Sequence, residues 1–170
     1  MEAATADQRL IIVCGLPGSG KTTWAKTLES KLRAIRFCAD EWMDTLAINL
    51  WEEETRTRIE SLQWELAQQL LVLGLTIIIE WGTWGRSERD AMRVRARELG
   101  AAVELHYLSA PVDILFERIQ RRSMEYPPIS REALSQWHEK FQEPGIEEIA
   151  LYDEPLIAYR SSRNPGSQSE

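Results

Sequence analysis

The chain has little cysteine and little histidine. Its two cysteines, Cys14 and Cys38, have no metal-type spacing, which argues against a zinc ribbon or a disulfide framework. Both sit in apolar runs, where an unpaired thiol behaves as a small core side chain. The two histidines, His106 and His138, share no motif, and neither is assigned a role. No apolar run approaches the roughly 20 residues of a membrane-crossing helix, so no membrane partner is expected. Residues Met1–Asp7 lack the basic and apolar regions of a secretory signal. A reduced, cytoplasmic setting is the resulting expectation. Positive charge is also short: 20 Lys and Arg stand against 27 Asp and Glu, for a net charge of −7. That balance disfavours gripping long nucleic acid along a basic face. No repeat or linker divides the 170 residues, which suit one domain with a single sizeable core. That domain is expected over residues 1–160, and a disordered tail over the polar stretch 161–170.

What is present is a complete phosphate-binding pattern. Gly15-Leu16-Pro17-Gly18-Ser19-Gly20-Lys21-Thr22 matches G-x-x-x-x-G-K-[ST] at every position and runs on into Thr23. The glycines permit backbone angles that turn successive N–H groups toward an anion. Lys21 is placed to reach the β- and γ-phosphates, and the Thr22 hydroxyl to hold Mg²⁺. Context supports the match. Leu10-Ile11-Ile12-Val13-Cys14 reads as a buried parallel strand, and Thr23-Trp24-Ala25-Lys26-Thr27-Leu28 as a helix without a breaker. A helix in that place also aims the positive end of its dipole at the phosphates. Binding of ATP with Mg²⁺ is the expectation.

Along the rest of the chain strands and helices alternate. Residues 34–39 read as a second strand ending at Asp40, and 41–73 as a helical region that bends in the polar segment 50–58. Ile59, Leu62, Leu66, Leu70 and Leu73 mark its expected buried stripe, with Gly74 as the stop. Leu75–Glu80 is the third strand, and Ser87 with Asp90 reads as a capping box for a helix that ends at Gly100. Val103–Leu108 is strand four, and Pro111 opens a helix carrying Ile114, Leu115 and Ile119. A loop with Pro127-Pro128, a helix over 130–142 and a last strand at Leu156–Tyr159 complete the reading. This is an α/β fold with a parallel sheet covered on both faces.

Ligands of such sheets bind outside the carboxyl ends of the strands. Three of those ends carry chemistry: the glycine loop, Asp40 and Glu80. Asp40 is a candidate general base for an attacking hydroxyl, or a cap for the helix beginning at Glu41. Glu80 stands where a second metal-side acid would be; contact with the acceptor or a solvated strand end are the other readings. Arg118, Arg121 and Arg122 lead into the Pro-containing loop, as lid arginines that neutralise transition-state charge or as a solvated helix face. Arg86, Arg89, Arg93, Arg95 and Arg97 spread around their helix, mostly at the surface, with Arg86 and Arg89 nearest the cleft. Trp42, Trp81 and Trp84 suit the rim of an acceptor site, whereas Trp64 and Trp137 read as core.

With these residues the chain resembles the small P-loop kinases related to chloramphenicol phosphotransferase, zeta toxin and the kinase domain of polynucleotide kinase. The likeness covers about residues 9–155. It is carried by Gly15–Thr22 and by Asp40 directly after strand two, in Phe37-Cys38-Ala39-Asp40-Glu41, where the group places its catalytic base. Arg118 and Arg122 match the group's lid arginines. The group usually carries Asp at the end of strand three, where this chain has Glu80. The resemblance implies a P-loop NTPase fold with five strands in the order 2-3-1-4-5 and a helical lid over about 118–130. It also implies transfer of the γ-phosphate of ATP to a hydroxyl of a small molecule of antibiotic, nucleoside or sugar type. A polynucleotide or nucleotide end-kinase and a non-catalytic regulatory ATPase are the alternatives.

Overall fold

The computed structural model describes residues 8–159, so the expected tail over 161–170 and the leader Met1–Asp7 lie outside the described residues. The element order is β1 (Arg9–Cys14), α1 (Lys21–Leu32), β2 (Ile35–Phe37), α2 (Ala39–Thr45), α3 (Glu53–Val72), β3 (Thr76–Gly82), α4 (Arg86–Glu98), β4 (Ala102–Tyr107), α5 (Val112–Arg122), α6 (Arg131–Lys140) and α7 (Ile146–Ile149). Every residue of β1 is buried, as the continuous apolar run demands for a strand covered on both sides. Alternate side chains divide between two layers. Leu10 and Ile12 pack with Ala67, Leu71, Met92 and Ala96 from α3 and α4. Ile11 and Val13 pack with Ala25 and Leu28 of α1. Each such buried Leu or Ile contributes about 1.5–3 kcal/mol relative to exposure. Among the described residues no helix is long and apolar enough to cross a membrane.

The sheet is parallel, in the order β2-β3-β1-β4, and has four strands where five are expected. The segment 156–159 lies beside β4 without pairing as a strand. Its place on the free edge is taken by Asp153, whose N–H donates to Val103 O (2.8 Å) while its Oδ2 accepts from Val103 N (2.7 Å). Pro155 follows and has no N–H to extend a ladder. A buried polar relay ties the segment down instead. Trp24 Nε1 donates to His106 Nδ1 (3.0 Å), His106 Nε2 meets Glu104 (2.8 Å), and Glu104 Oε1 accepts from Arg9 (2.8 Å) and from Leu156 N (3.1 Å).

Three further expectations shift. On α3 the buried line is Ile59, Gln63, Ala67 and Leu71, while Leu62 and Leu73 are exposed. The Oε1 of fully buried Gln63 accepts the Trp81 indole N–H at 2.6 Å, while its Nε2 has no partner among the described residues. Helix α4 begins one residue before Ser87, with Gly85 as N-cap and no side-chain cap; Gln142 Oε1 accepts the Arg86 N–H, and Glu88 meets the Gly85 backbone. The segment 118–130 comprises the last turn of α5 and an irregular loop rather than a helical lid.

Candidate active site

The phosphate loop takes the shape that its glycines allow. At φ +148° and +80°, Gly15 and Gly18 hold conformations that favour glycine, and an added Cβ would meet Leu108 O at 2.3 Å and Leu115 O at 2.6 Å. The first turn of α1 has no side-chain cap, so the N–H groups of Lys21, Thr22 and Thr23 are left for an anion. Lys21 Nζ crosses the loop to Leu16 O (3.0 Å), and burial holds its pKa below the ordinary lysine value against the pull of Asp40 and Glu80.

The carboxyl end of β3 carries a bulge: Ile12 pairs Ile79 but Cys14 pairs Gly82, so Glu80 and Trp81 oppose the single Val13. Bulges of this kind re-aim side chains beside active sites. Glu80 is buried, and one of its oxygens is held by Arg36, which also binds Glu29 (3.0 Å) and Glu41 (2.6 Å). Three carboxylates around one guanidinium raise the Arg36 pKa despite its burial. Burial in turn raises the Glu80 pKa, opposed by Arg36 and by the Thr22 hydroxyl alongside. Glu80 Oε2 has no hydrogen-bond partner among the described residues. A buried free carboxylate oxygen next to the Thr22 hydroxyl is a donor set that fits a hard divalent cation. Cys38, Glu41 and Glu80 also approach within 4.8 Å, but there Arg36 already supplies the positive charge. Burial pushes the thiols of Cys14 and Cys38 up to about 12, as expected of core cysteines.

Asp40 lies in the first turn of α2, whose N-cap is Cys38, and it makes no capping bond. The capping alternative therefore falls. Its Oδ1 accepts instead from Arg56 at 2.5 Å, and Arg56 also binds Leu50 O. Asp40, Arg56, Lys21, Thr22 and Glu80 line one cleft of about 610 Å³, with Pro17 of the loop and Arg122. Arg122 pairs with Glu125 at the cleft, Arg118 donates to Gly18 O of the phosphate loop (3.1 Å), and Arg121 turns away to Glu117. Across the mouth, Asn49 Nδ2 and Trp51 Nε1 donate to Tyr126 O (3.1 Å) and Pro127 O (2.9 Å), joining the α2–α3 connection to the loop between α5 and α6.

The other half of the cleft is walled by Trp51, Trp81, Trp84 and Trp137. Trp137 packs on the core, as its sequence suggests, and also lines the cleft, whereas Trp42 packs against Phe37 away from the rim. Arg89, which the sequence sets with Arg86 nearest the cleft, is completely buried. Its guanidinium binds Glu148 twice (2.6 and 2.9 Å) and donates to Thr83 O (2.9 Å), Trp84 O (3.2 Å) and Gln142 O (2.7 Å). It thus holds the floor between Trp81 and Trp84, where Thr83 takes φ +45°. The Thr83 hydroxyl is buried without a partner among the described residues, an arrangement that costs about 1–3 kcal/mol. Sequence reasoning missed Arg36, Arg56 and Thr83, and the full burial of Arg89. Arg89 had a signal, since it lies in phase with the buried Met92 and Ala96.

A parallel sheet, a glycine loop opening onto α1 and a carboxylate cleft at the strand ends define a P-loop fold of the nucleotide-binding class. The chain belongs to the AAA domain family, whose model matches residues 10–144. It is 26% identical over 145 residues to the L-seryl-tRNA(Sec) kinase of Methanococcus maripaludis, covering 80% of this chain and 53% of that protein. The chain thus spans about half the length of this curated relative. Among solved structures it resembles a gluconokinase from Sinorhizobium meliloti 1021 (TM-score 0.59, 19% identity, 83% of this chain and 79% of that one). It also resembles a chain of the Pnkp1/Rnl/Hen1 RNA repair complex (TM-score 0.66, 20% identity, 95% and 52%). These structural likenesses concern the fold.

Proposed function

We propose that the protein transfers the γ-phosphate of ATP to a hydroxyl group of a small molecule. The observation that carries this reading is that Asp40 and the phosphate loop face one cleft whose other half is an aromatic-walled chamber. A protein that only bound nucleotide would need neither a carboxylate there nor a second compartment.

In this reading the amides of the α1 N-terminus and Lys21 hold the β- and γ-phosphates. Gly15, Leu16, Pro17, Gly18, Ser19 and Gly20 shape the cradle, and Thr22 and Thr23 close it. Arg56 fixes one oxygen of Asp40, leaving the other to accept the acceptor's proton as the acceptor oxygen attacks the γ-phosphorus and ADP leaves with the β–γ bridging oxygen. Arg118 and Arg122 neutralise charge on the transferring group. Thr22 and Glu80 would hold Mg²⁺, which supplies charge neutralisation along the phosphates. A cytoplasmic setting suits a protein that consumes ATP and carries two unpaired thiols.

The test incubates the protein with ATP and Mg²⁺ and a panel of nucleosides, antibiotics, sugars and oligonucleotides, reading mass gain of one phosphoryl group. Asp40→Asn keeps shape and the Arg56 contact but cannot accept a proton, so transfer should fall about 10²–10⁴-fold while ATP still binds. Full turnover by Asp40→Asn would remove the base. Phosphorylation of oligonucleotide ends alone would favour the end-kinase reading, and transfer to nothing, with ATP bound, the regulatory one.

A further inference from the structure

The four tryptophans of the chamber do not stack face to face on one another. Trp137 stands 5.9 Å from Trp51 and 5.7 Å from Trp84 between ring centroids, at 44° and 51°. Ring faces are left for a ligand, and the indole face is the best aromatic partner for a cation. The charges around them are mostly committed. Arg56 is taken by Asp40, Arg122 by Glu125 and Glu80 by Arg36. Setting aside Lys21, which belongs to the phosphate loop, the remaining charged lining groups are Glu53 and Glu88, which form no ion pair among the described residues, and Lys140. Thr83, on the chamber floor, presents a buried hydroxyl without a partner, and its backbone is clamped by Arg89.

We propose that this chamber takes an acceptor bearing a protonated amine, its ammonium set against the tryptophan faces near Glu53 and Glu88 and a neighbouring polar group paired with Thr83 Oγ1. The inference rests on the kinase reading for the word acceptor, and on the chamber alone for the amine. An anionic acceptor would meet two carboxylates that form no ion pair among the described residues, one of them held only by the Gly85 backbone. A neutral planar ring would stack equally well but leave those carboxylates without a counter-charge.

Binding and transfer are measured separately. Quenching of intrinsic tryptophan fluorescence is titrated with 2-amino-1,3-propanediol, glucosamine and the two-ring aminoglycoside neamine, each against its N-acetylated form, and with gluconate as the anion. The same titrations are run on Lys21→Ala, which lacks phosphate binding. At least one amine should bind tenfold or more tightly than its N-acetyl form in both proteins, and gluconate should bind more weakly still. The double variant Glu53→Gln/Glu88→Gln should erase that preference. Thr83→Val should weaken amine binding by about fivefold or more without lowering Tm, since the hydroxyl has no partner to lose, and Thr83→Ser should restore it. Equal or tighter binding of the N-acetyl forms or of gluconate, or no quenching by any amine, overturns the amine. Amine-selective quenching with no phosphorylated product from any member of the panel would leave the chamber's preference standing and overturn the kinase reading alone.

Discussion

Removing Glu148 tests whether the chamber floor depends on the ion pair beneath it. Glu148→Ala strips the fully buried Arg89 of its two contacts at 2.6 and 2.9 Å, leaving a guanidinium with carbonyl partners only. Breaking a buried pair by deleting one partner costs about 3–5 kcal/mol. At roughly 2–4 °C per kcal/mol for a protein of this size, Tm should fall by about 6–20 °C. Arg89→Met should be worse. It leaves Glu148 buried and unpaired and also orphans the carbonyls of Thr83 and Gln142, each worth about 1–3 kcal/mol, while Trp84 O keeps the Gln142 N–H. That sum approaches the whole stability of an ordinary domain, about 5–15 kcal/mol. The double variant Arg89→Met/Glu148→Leu buries no charge but keeps the orphaned carbonyls, so it should lie above Arg89→Met, with a coupling energy beyond 1 kcal/mol expected for contacting residues. Urea denaturation at constant m-value, followed by far-UV circular dichroism, gives each difference. A loss below about 1 kcal/mol for Glu148→Ala would refute the reasoning, because an unpaired charge at that depth cannot be so cheap.

Three other outcomes are expected. ATP with Mg²⁺ should raise Tm by mass action, and Lys21→Ala should largely abolish the shift; equal stabilisation of both proteins in thermal melts would sink the nucleotide site. Arg118→Ala and Arg122→Ala should each lower kcat by about 10²-fold with a smaller effect on nucleotide affinity, and steady-state kinetics showing unchanged kcat for both would return them to the surface. Burial raises the Glu60 carboxyl to about 7, with Glu88 and Asp40 adding and Arg56 opposing. The folded state then binds more protons than the unfolded one between about 4.5 and 7, so this residue's contribution to stability falls as pH rises through that window. Glu60→Gln should therefore raise Tm at pH 8 and leave it nearly unchanged at pH 4; a difference independent of pH would count against the shift.

The phosphate half of the molecule was legible because its determinants are local. A strand, a glycine loop and a helix follow one another within residues 9–32, and the pattern dictates the backbone that the structure shows. Asp40 and Glu80 were legible for a related reason: strand ends of a parallel sheet point to one edge. The chamber was less so, because its members come together only through long-range contacts. Arg56 reaches Asp40 from sixteen residues away, and Arg89 finds Glu148 across fifty-nine. Trp137 reads as core from helical spacing alone, and only the placement of α6 against the α2–α3 connection turns it into a wall. The fifth strand failed for a local reason that spacing conceals, since Asp153 donates to and accepts from Val103 on the edge that a strand would have paired.

These two halves are also anchored differently. The phosphate loop is held by the central strands and α1, inside the stretch matched by the family, residues 10–144. The chamber floor at Thr83 and Trp84 hangs on Arg89, and Arg89 is neutralised by Glu148 from α7, beyond the end of that match. A change in the segment 141–150 can therefore tilt the floor and its tryptophans without disturbing Lys21, Thr22 or Asp40. In the proposed function the phosphate contacts would be made largely by backbone shape, which the buried sheet enforces. The acceptor contacts would be made by side chains, those of Thr83 and Trp84 among them, on a loop whose backbone carbonyls bind one guanidinium. In a fold of this kind, substitutions around Arg89 and Glu148 should alter which acceptor is taken before they alter whether a phosphate is held, so selection for acceptor use in a library of residues 141–150 should recover variants with changed acceptor preference and unchanged nucleotide-induced Tm shifts. Variants that lose both together would show that the floor and the phosphate loop are one mechanical unit.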